Sequence, residues 1–536
     1  KEKESALIMR KQTKIAAIVS AAALLAIGAS MTSFAAEGWM EENGTWSYYN
    51  RYNEKVTEQW QKSGDKWFWL NADGNMATDS IVQDNENYFY VDANGVMVTN
   101  RWVEVDNSTD DGEDAPPTVW YYFQANGKAY KGGDSTSFKT INGKNYAFAS
   151  DGRMLTGWVD ANSNRVTGDD AWQNCEYYLG GFDDGARASS EWRQIHVVDS
   201  SKDDPEQDYW FYFQANGKKY TNKFEGQTIN GRKYAFGENG NMLYKWVGTP
   251  SGATLADQFK NFSSTNEDGS LRSKTWFKAV PDEAFDRKNS EAEDFNEKWY
   301  YADAKGRLAV SEIKTINGRK YAFDEKGAMI SGLWYLNVNE SNKIIATGSN
   351  ANEEIDSEAK LDKYTKVTKT STLTSLTRAN DKTGLYYFGD DTDGSMKTGN
   401  VNVSIDGDSY AFKFATSGNK GVGLDGMDGN IFFVNGKKMK ADSEDKYKVY
   451  VVTTKDRVIA EADSNALVDT SITTEKKGRV GSDHSYVKPA AEGVTEKCVV
   501  VSSSGSLQGR GTKKDGNDIN LVSDASKKLI GAFRQN

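Results

Sequence analysis

Aromatic side chains recur in this chain two residues apart: Trp46 and Tyr48, Trp67 and Trp69, Tyr88 and Tyr90, Trp120 and Tyr122, Trp210 and Tyr212, Trp299 and Tyr301. Side chains alternate faces along an extended strand, so each pair shares one face. Trp39, Trp60, Trp102 and Trp192 precede four of these pairs and add a third ring close to the same groove. Rings grouped in this way attract a quaternary ammonium by about 0.5–2 kcal/mol per ring through cation–π interaction. They also stack on sugar faces while Asn, Asp and backbone groups take the hydroxyls. The same rings would weld neighbouring hairpins together, which is their structural role in many sheets.

Catalytic chemistry has less to work with. The chain holds two His, His196 and His484, and two Cys, Cys175 and Cys498, too far apart for a cysteine-based metal site or a disulfide framework. Asp and Glu are numerous but fall mainly in stretches poor in apolar residues, where a solvated loop is the simpler reading than a paired acid and base. DDTDGS at 390–395 lacks the spaced ligands and terminal Glu of a calcium loop and reads as a turn. The sequence therefore points to a non-catalytic protein with no metal site and no cofactor.

The elements that must position the rings are short strands. GWMEENGTWSYYN at 38–50, QWQKSGDKWFWLNADGNM at 59–76 and NYFYVDANGVM at 87–97 repeat a Trp, a turn, a ring-rich strand, a glycine turn and Met about every 21 residues. Four- or five-residue strands joined by Asn-Gly and Asp-Gly turns are hairpin signals. One hairpin cannot bury its faces, so neighbours must stack. The expected fold is all-β, a β-hairpin solenoid of stacked repeats of about 20 residues carrying long acidic loop inserts.

Beyond residue 100 the pattern is compound. VWYYFQANGKAY at 119–130 returns as YWFYFQANGKKY at 209–220 and KWYYADAKGRL at 298–308. TINGKNYAFASDGRMLTGW at 140–158 returns as TINGRKYAFGENGNMLYKW at 228–246 and TINGRKYAFDEKGAMISGLW at 315–334, with a weaker SIDGDSYAF at 404–412. Between them lie acidic inserts at 106–114, 199–208, 282–297 and 350–363, expected to be exposed loop tips.

These residues resemble the cell-wall-binding or choline-binding repeat family, and the TING units are similar to repeats of glucan-binding proteins and of clostridial toxin tails. The resemblance covers about 38–440. It implies a β-hairpin solenoid that binds choline on teichoic acids, or glycans, including peptidoglycan-linked ones. In the family a pocket combines the first-strand Trp and first ring of one unit with the third-position ring of the next. Carried over, that groups Trp39, Trp46 and Trp69, and then Trp60, Trp67 and Tyr90. The 37–103 block fits choline best. Units 104–440, alternating long and short, depart from the pattern: the unit at Glu176-Tyr177-Tyr178 keeps one ring and Leu385-Tyr386-Tyr387 replaces Trp with Leu.

Strand alternation suggests a division of labour. Tyr121 and Phe123 share one face of the 120–123 strand, and the corresponding face of the TING units keeps Tyr146/Phe148, Tyr234/Phe236, Tyr321/Phe323 and Tyr410/Phe412. The opposite face shrinks from Trp120/Tyr122 to Asn145/Ala147, Lys233/Ala235, Lys320/Ala322 and Ser409/Ala411. The constant face is thus expected inside the solenoid, and the variable face is expected to carry function.

The ends differ from the middle. Residues 1–8 read as an upstream remnant, and 9–36 as an export signal with basic residues, an apolar run and a small-residue cleavage site. That run, Ile15 to Ile27, is too short to span a bilayer. Loss of residues 1–35 would deepen the net charge from −11 to −14, which disfavours nucleic acid and anionic membrane as partners. Residues 441–536 lack Trp and read as degenerate β repeats with aliphatic interiors, forming a C-terminal cap. The sequence as a whole describes a secreted protein associated with the cell wall.

Overall fold

The computed structural model describes residues 37–107, 116–133, 138–162, 164–181, 184–248, 258–282, 296–345, 352–365, 381–453, 458–468 and 496–534. The export signal and upstream remnant, His484 and most of the inserts at 106–114 and 282–297 lie outside them. The chain is nearly all β, with 48% strand and 3% helix. Strands pair with their sequence neighbours as antiparallel hairpins: Gly38–Glu42 with Thr45–Tyr49, Gln59–Ser63 with Lys66–Leu70, Ser80–Asp84 with Asn87–Val91, and Arg101–Asp106 with Thr118–Phe123. Asn43 and Gly44, with φ of 53° and 82°, make the first of these turns, which demand the left-handed backbone that Asn and Gly tolerate.

Successive hairpins are tied by one recurring backbone hydrogen bond. The N–H of the residue that closes each glycine turn donates to the carbonyl of the first ring position one hairpin earlier: Met76 to Trp46, Met97 to Trp67, Ala129 to Tyr88, Met154 to Trp120, Arg187 to Asn145 and Lys219 to Glu176, at 2.7–2.9 Å. This bond orders hairpins along the chain, as a β-hairpin solenoid requires. It also explains the Gly-x-Met spacing. A Cβ on Gly95 would stand 2.8 Å from the Met76 sulfur, and one on Gly127 would stand 2.5 Å from that of Met97. These glycine turns are therefore the floor on which the previous unit's Met rests, a place that Lys55 takes at Gly74 and Arg187 at Gly217.

The described residues form two compact units: those up to Tyr244 together with Ser264–Ser270, and Lys245–Ser263 together with Leu271 onward. Within the first, cores form between consecutive hairpins. Trp39, Phe68 and Leu70 make one, Val82, Phe89 and Val91 the next, each joined by half-buried rings of the preceding hairpin. This corrects the expected division into an inner and an outer face. The constant face of one hairpin packs on the variable face of the one before it, so both faces are covered. Trp120 on the variable face is only 2% exposed, and Ala147, Ala235 and Ala322 are buried as well. Tyr234, expected inside, is half-buried, whereas Phe236 beside it is fully enclosed.

The insert at 199–208 begins with the buried Asp199 and is otherwise largely exposed, closing the long hairpin Glu191–Val198 with Glu206–Phe213. In the second unit, Tyr447–Thr453 pairs with Val458–Ala462 and Glu496–Ser502, and Ile519–Ser523 with Gly511–Lys514 and Leu529–Arg534. Their cores are largely aliphatic: Val499, Val501, Val452 and Leu507 beside Phe432 and Tyr450 in one cluster, Val500, Ile519, Leu521 and Leu529 in another. Among the described residues no helix is long and apolar enough to cross a membrane.

Candidate ligand grooves

One arrangement of rings recurs. Trp39 lies opposite Tyr48 in the strand register, and their ring centroids are 5.5 Å apart at 77°. Trp39 also meets Phe68 of the next hairpin at 5.3 Å. Trp60 repeats this with Trp69 at 5.3 Å and Phe89 at 5.0 Å. Trp102 meets Tyr122 at 5.2 Å and Tyr146 at 4.8 Å, and Trp192 meets Tyr212 at 5.2 Å and Tyr234 at 4.8 Å. Edge-to-face contact suits the ring quadrupoles and fixes each groove's walls.

The expected groupings are only partly reproduced. Trp46 and Tyr48 pack beside Trp39 with Phe68 and Met76, whereas Trp69 belongs to the following cluster with Trp60 and Met97. Tyr90 and Tyr88 join Val103, Tyr121 and Phe123 one step further on. Trp102, Trp120 and Tyr122 share a cluster with Tyr130, Ile141, Tyr146 and Phe148. Trp192, Trp210 and Tyr212 surround Phe236, and Tyr301 packs with Trp276 and Phe323. Trp299 stands 6.4 Å from Trp276. Trp67 alone of these rings counts as exposed, at 39%.

Charges at the groove edges are uneven. The residue facing the first ring across the hairpin is Glu41 at Trp46 and Glu104 at Trp120, but Lys62 at Trp67 and Lys278 at Trp299. The two ammonium groups lie over those rings at 5.8 and 5.5 Å. Burial, helped by the nearby Glu37 carboxylate, raises the Tyr48 phenol above its ordinary pKa, and its O–H donates to Glu37 at 3.3 Å. The Tyr90 phenol, raised by burial, donates to Asp79. Burial pushes Tyr121 and Tyr146 up to about 12. All of these phenols are neutral donors at physiological pH.

Three groove tryptophans were missed in the sequence: Trp158, Trp246 and Trp276. Trp276 contacts Tyr301 at 5.3 Å and Tyr321 at 4.8 Å, in the manner of Trp192. Trp158 contacts Tyr178 at 5.1 Å and Phe211 at 5.2 Å. For Trp158 the signal was present in the Gly-Trp that ends TINGKNYAFASDGRMLTGW, and for Trp246 in the Trp that ends TINGRKYAFGENGNMLYKW, whereas Trp276 stands outside any repeated motif. Elsewhere, Cys175 and Cys498 are buried. Asp390 is spent on the N–H groups of Thr392 and Asp393, and Asp393 on Lys397, which makes DDTDGS a turn.

Comparison with known proteins agrees with this geometry. Residues 56–102 match the choline-binding repeat, and residues 119–129 match the putative cell wall binding repeat. Both matched stretches fall on hairpins whose rings form the grooves described above. It is 25% identical over 213 residues, 40% of its length, to glucosyltransferase-S of Streptococcus mutans, and the match spans only 11% of that protein. Among solved structures it is similar to the modular autolysin LytC of Streptococcus pneumoniae, at 16% identity, covering 55% of this chain and 52% of that one with a TM-score of 0.31. It is also similar to choline binding protein F of the same organism, at 16% identity, covering 59% of this chain and 96% of that one with a TM-score of 0.29.

Proposed function

We propose that this is an exported, non-catalytic protein that attaches non-covalently to cell-wall polymer through ring-lined grooves between consecutive hairpins. The grooves of the 37–103 block take choline carried on teichoic acid, and those of the alternating units after 103 take glycan. The observation that supports this most is the coincidence of the choline-binding repeat match at 56–102 with the Trp60–Trp69 groove and the exposed Trp67. A trimethylammonium group gains attraction from each ring it touches and has no need of a buried counter-ion. Weak grooves in series then add up, because one polymer chain engages several of them.

A second reading has its own support. Trp102 and Trp120 are almost wholly buried between hairpins, as welding rings would be, and a stalk of such units would serve as a spacer or as an adhesin for host glycan. Pull-down on purified walls decides between them. Retention that free choline abolishes supports choline grooves, and retention abolished only by soluble glycan moves the function to the later units. A protein that stays in solution with both is a spacer.

A further inference from the structure

Six grooves share one template: a first-strand Trp, the ring opposite it, the constant-face residues of the next hairpin, and the side chain that closes the next glycine turn. That last side chain is Met76 at Trp39, Met97 at Trp60, Met154 at Trp102, Met242 at Trp192 and Met329 at Trp276. In the sixth, built on Trp158 with Tyr178, Phe211 and Phe213, it is Lys219. We infer that Lys219 is a built-in cation: it fills the Trp158 groove with the protein's own ammonium and closes that groove to an external quaternary ammonium. The residue at the Met position thereby decides which grooves stay open.

Lys219 is only 7% exposed. Its Nζ lies 5.3 Å over the Trp158 ring and donates to the backbone carbonyls of Trp172 and, at 3.4 Å, Gln173. Those carbonyls come from a four-residue helix, Ala171–Asn174, which packs on the groove through Ala171 and Trp172. The lysine stem supplies the apolar length that Met supplies elsewhere, and the head meets the ring face and carbonyl oxygens. Carboxylate has little part in it. Glu176 binds the neighbouring Lys218 at 2.5 Å, and burial pushes the Cys175 thiol up to about 11, leaving it neutral. One hairpin earlier the same position is Arg187, whose guanidinium lies 4.4 Å over Phe138 and 5.7 Å over Tyr177. Arg187 thus sets a cation on ring faces at the same position, in a groove that has Phe138 and Tyr177 in place of a tryptophan.

This inference rests on the reading that open grooves take a quaternary ammonium, and the test separates the two. The full chain is titrated with choline chloride by calorimetry as wild type, Lys219→Met and Lys218→Met, while the indole N–H resonance of Trp158, assigned through Trp158→Phe, is followed. Lys219→Met is expected to bind one more choline than wild type, with the Trp158 resonance moving only in that variant, and Lys218→Met to match wild type. Where Lys219→Met fails to fold, Lys219→Leu is read the same way. Wild-type protein whose Trp158 resonance moves with choline while Lys219 is in place overturns the inference, as does a folded Lys219→Met with no added site. Absence of choline binding in both proteins overturns the groove reading and the inference with it. Binding confined to Lys219→Met retains the inference and removes only the other grooves.

Discussion

The hairpins between Gly38 and Phe123 and those between Gly426 and Arg534 use one connection to build two different interiors. In the first stretch, Met76 and Met97 bond back to Trp46 and Trp67, and the space between hairpins fills with rings. In the second, the N–H of Leu507 bonds back to the carbonyl of Asn430, and the space fills with Phe432, Val434, Val452 and Val501. Stacked hairpins therefore do not need tryptophan. Aliphatic side chains with Phe432 and Tyr450 close the same gaps, so the tryptophans of the first stretch are more than this connection requires. The one ring left exposed among the candidates, Trp67, lies in that first stretch.

The comparison breaks most visibly if the rings are removed where they are dense. Replacing Trp46, Trp67 and Trp69 with Ala in the full chain should weaken wall retention by about 10²–10⁴, since linked sites multiply when several are lost together. Pull-down on walls and a melting curve on the same protein separate lost binding from lost fold. Unchanged retention in folded protein makes the N-terminal block a spacer and leaves attachment to the units after 103.

A stability pair sharpens the same contrast. Phe236→Ala removes a fully enclosed ring and should cost about 3–5 kcal/mol, and Leu521→Ala in the aliphatic region about 2–5 kcal/mol. Trp67→Ala, at an exposed ring, should cost much less than either. Chemical denaturation of the three variants tests the order, and an equal loss for Trp67 and Phe236 would mean that Trp67 belongs to the core.

Lys219 offers a change of opposite sign. Burial lowers its pKa to about 8, so the folded chain holds that proton less tightly than the unfolded one, whose lysine keeps the ordinary value near 10.5. The group therefore costs stability at neutral pH, and the cost fades as pH rises from about 8 to about 10.5. Lys219→Met should be the more stable protein near pH 7, by roughly 3 kcal/mol, with the advantage shrinking through that window. Thermal melts of both proteins across the range check it, and a gap that does not narrow would place the ammonium in a polar setting.

Glycine turns test the seam between units. Gly95→Ala and Gly143→Ala both impose a positive φ, 76° and 78°, which costs about 1–2 kcal/mol. Only at Gly95 does the new Cβ also strike Met76, while Gly143 faces open space. Gly95→Ala should therefore be the more destabilising of the two, and equal melting temperatures would remove Met76 from the seam.

Hairpins, turns and ring pairs were legible in the sequence because each is local: Asn-Gly next to a ring alternation leaves few other structures open. What covers each face was not, because that contact joins residues about 30 positions apart, as in Trp46 and Met76. Alternation says that a strand has two faces and stays silent on which neighbour meets them, so Ala147 and Ala235 looked like exposed absences and are buried contacts. The Trp158 groove was hidden for another reason. Gly217-Lys218-Lys219 reads as an ordinary polar turn until the hydrogen bond to Glu176 sets Lys219 where Met stands elsewhere.

The smallest expected effect lies at His196, on the long hairpin of the first unit. Its Nδ1 is 3.0 Å from Asp208 and its Nε2 2.6 Å from Glu206, and these two hydrogen bonds, Asp208 first, raise its pKa above the ordinary value. A raised pKa in a cation means that the folded chain favours the proton, so the contribution to stability is full below the unfolded value of about 6.5 and is lost as pH climbs through the folded value. The site is fully exposed, where solvent and salt screen such pairs, so the difference should be slight and should shrink further in high salt. His196→Gln keeps a hydrogen-bonding side chain without the charge. Melting curves of the two proteins should coincide near pH 9, where wild type has lost its imidazolium, and separate slightly in favour of wild type near pH 5.5. A gap that is instead widest at high pH would mean that neutral His196 is the form the hairpin prefers, and that the hydrogen bonds to Asp208 and Glu206 do not favour the imidazolium.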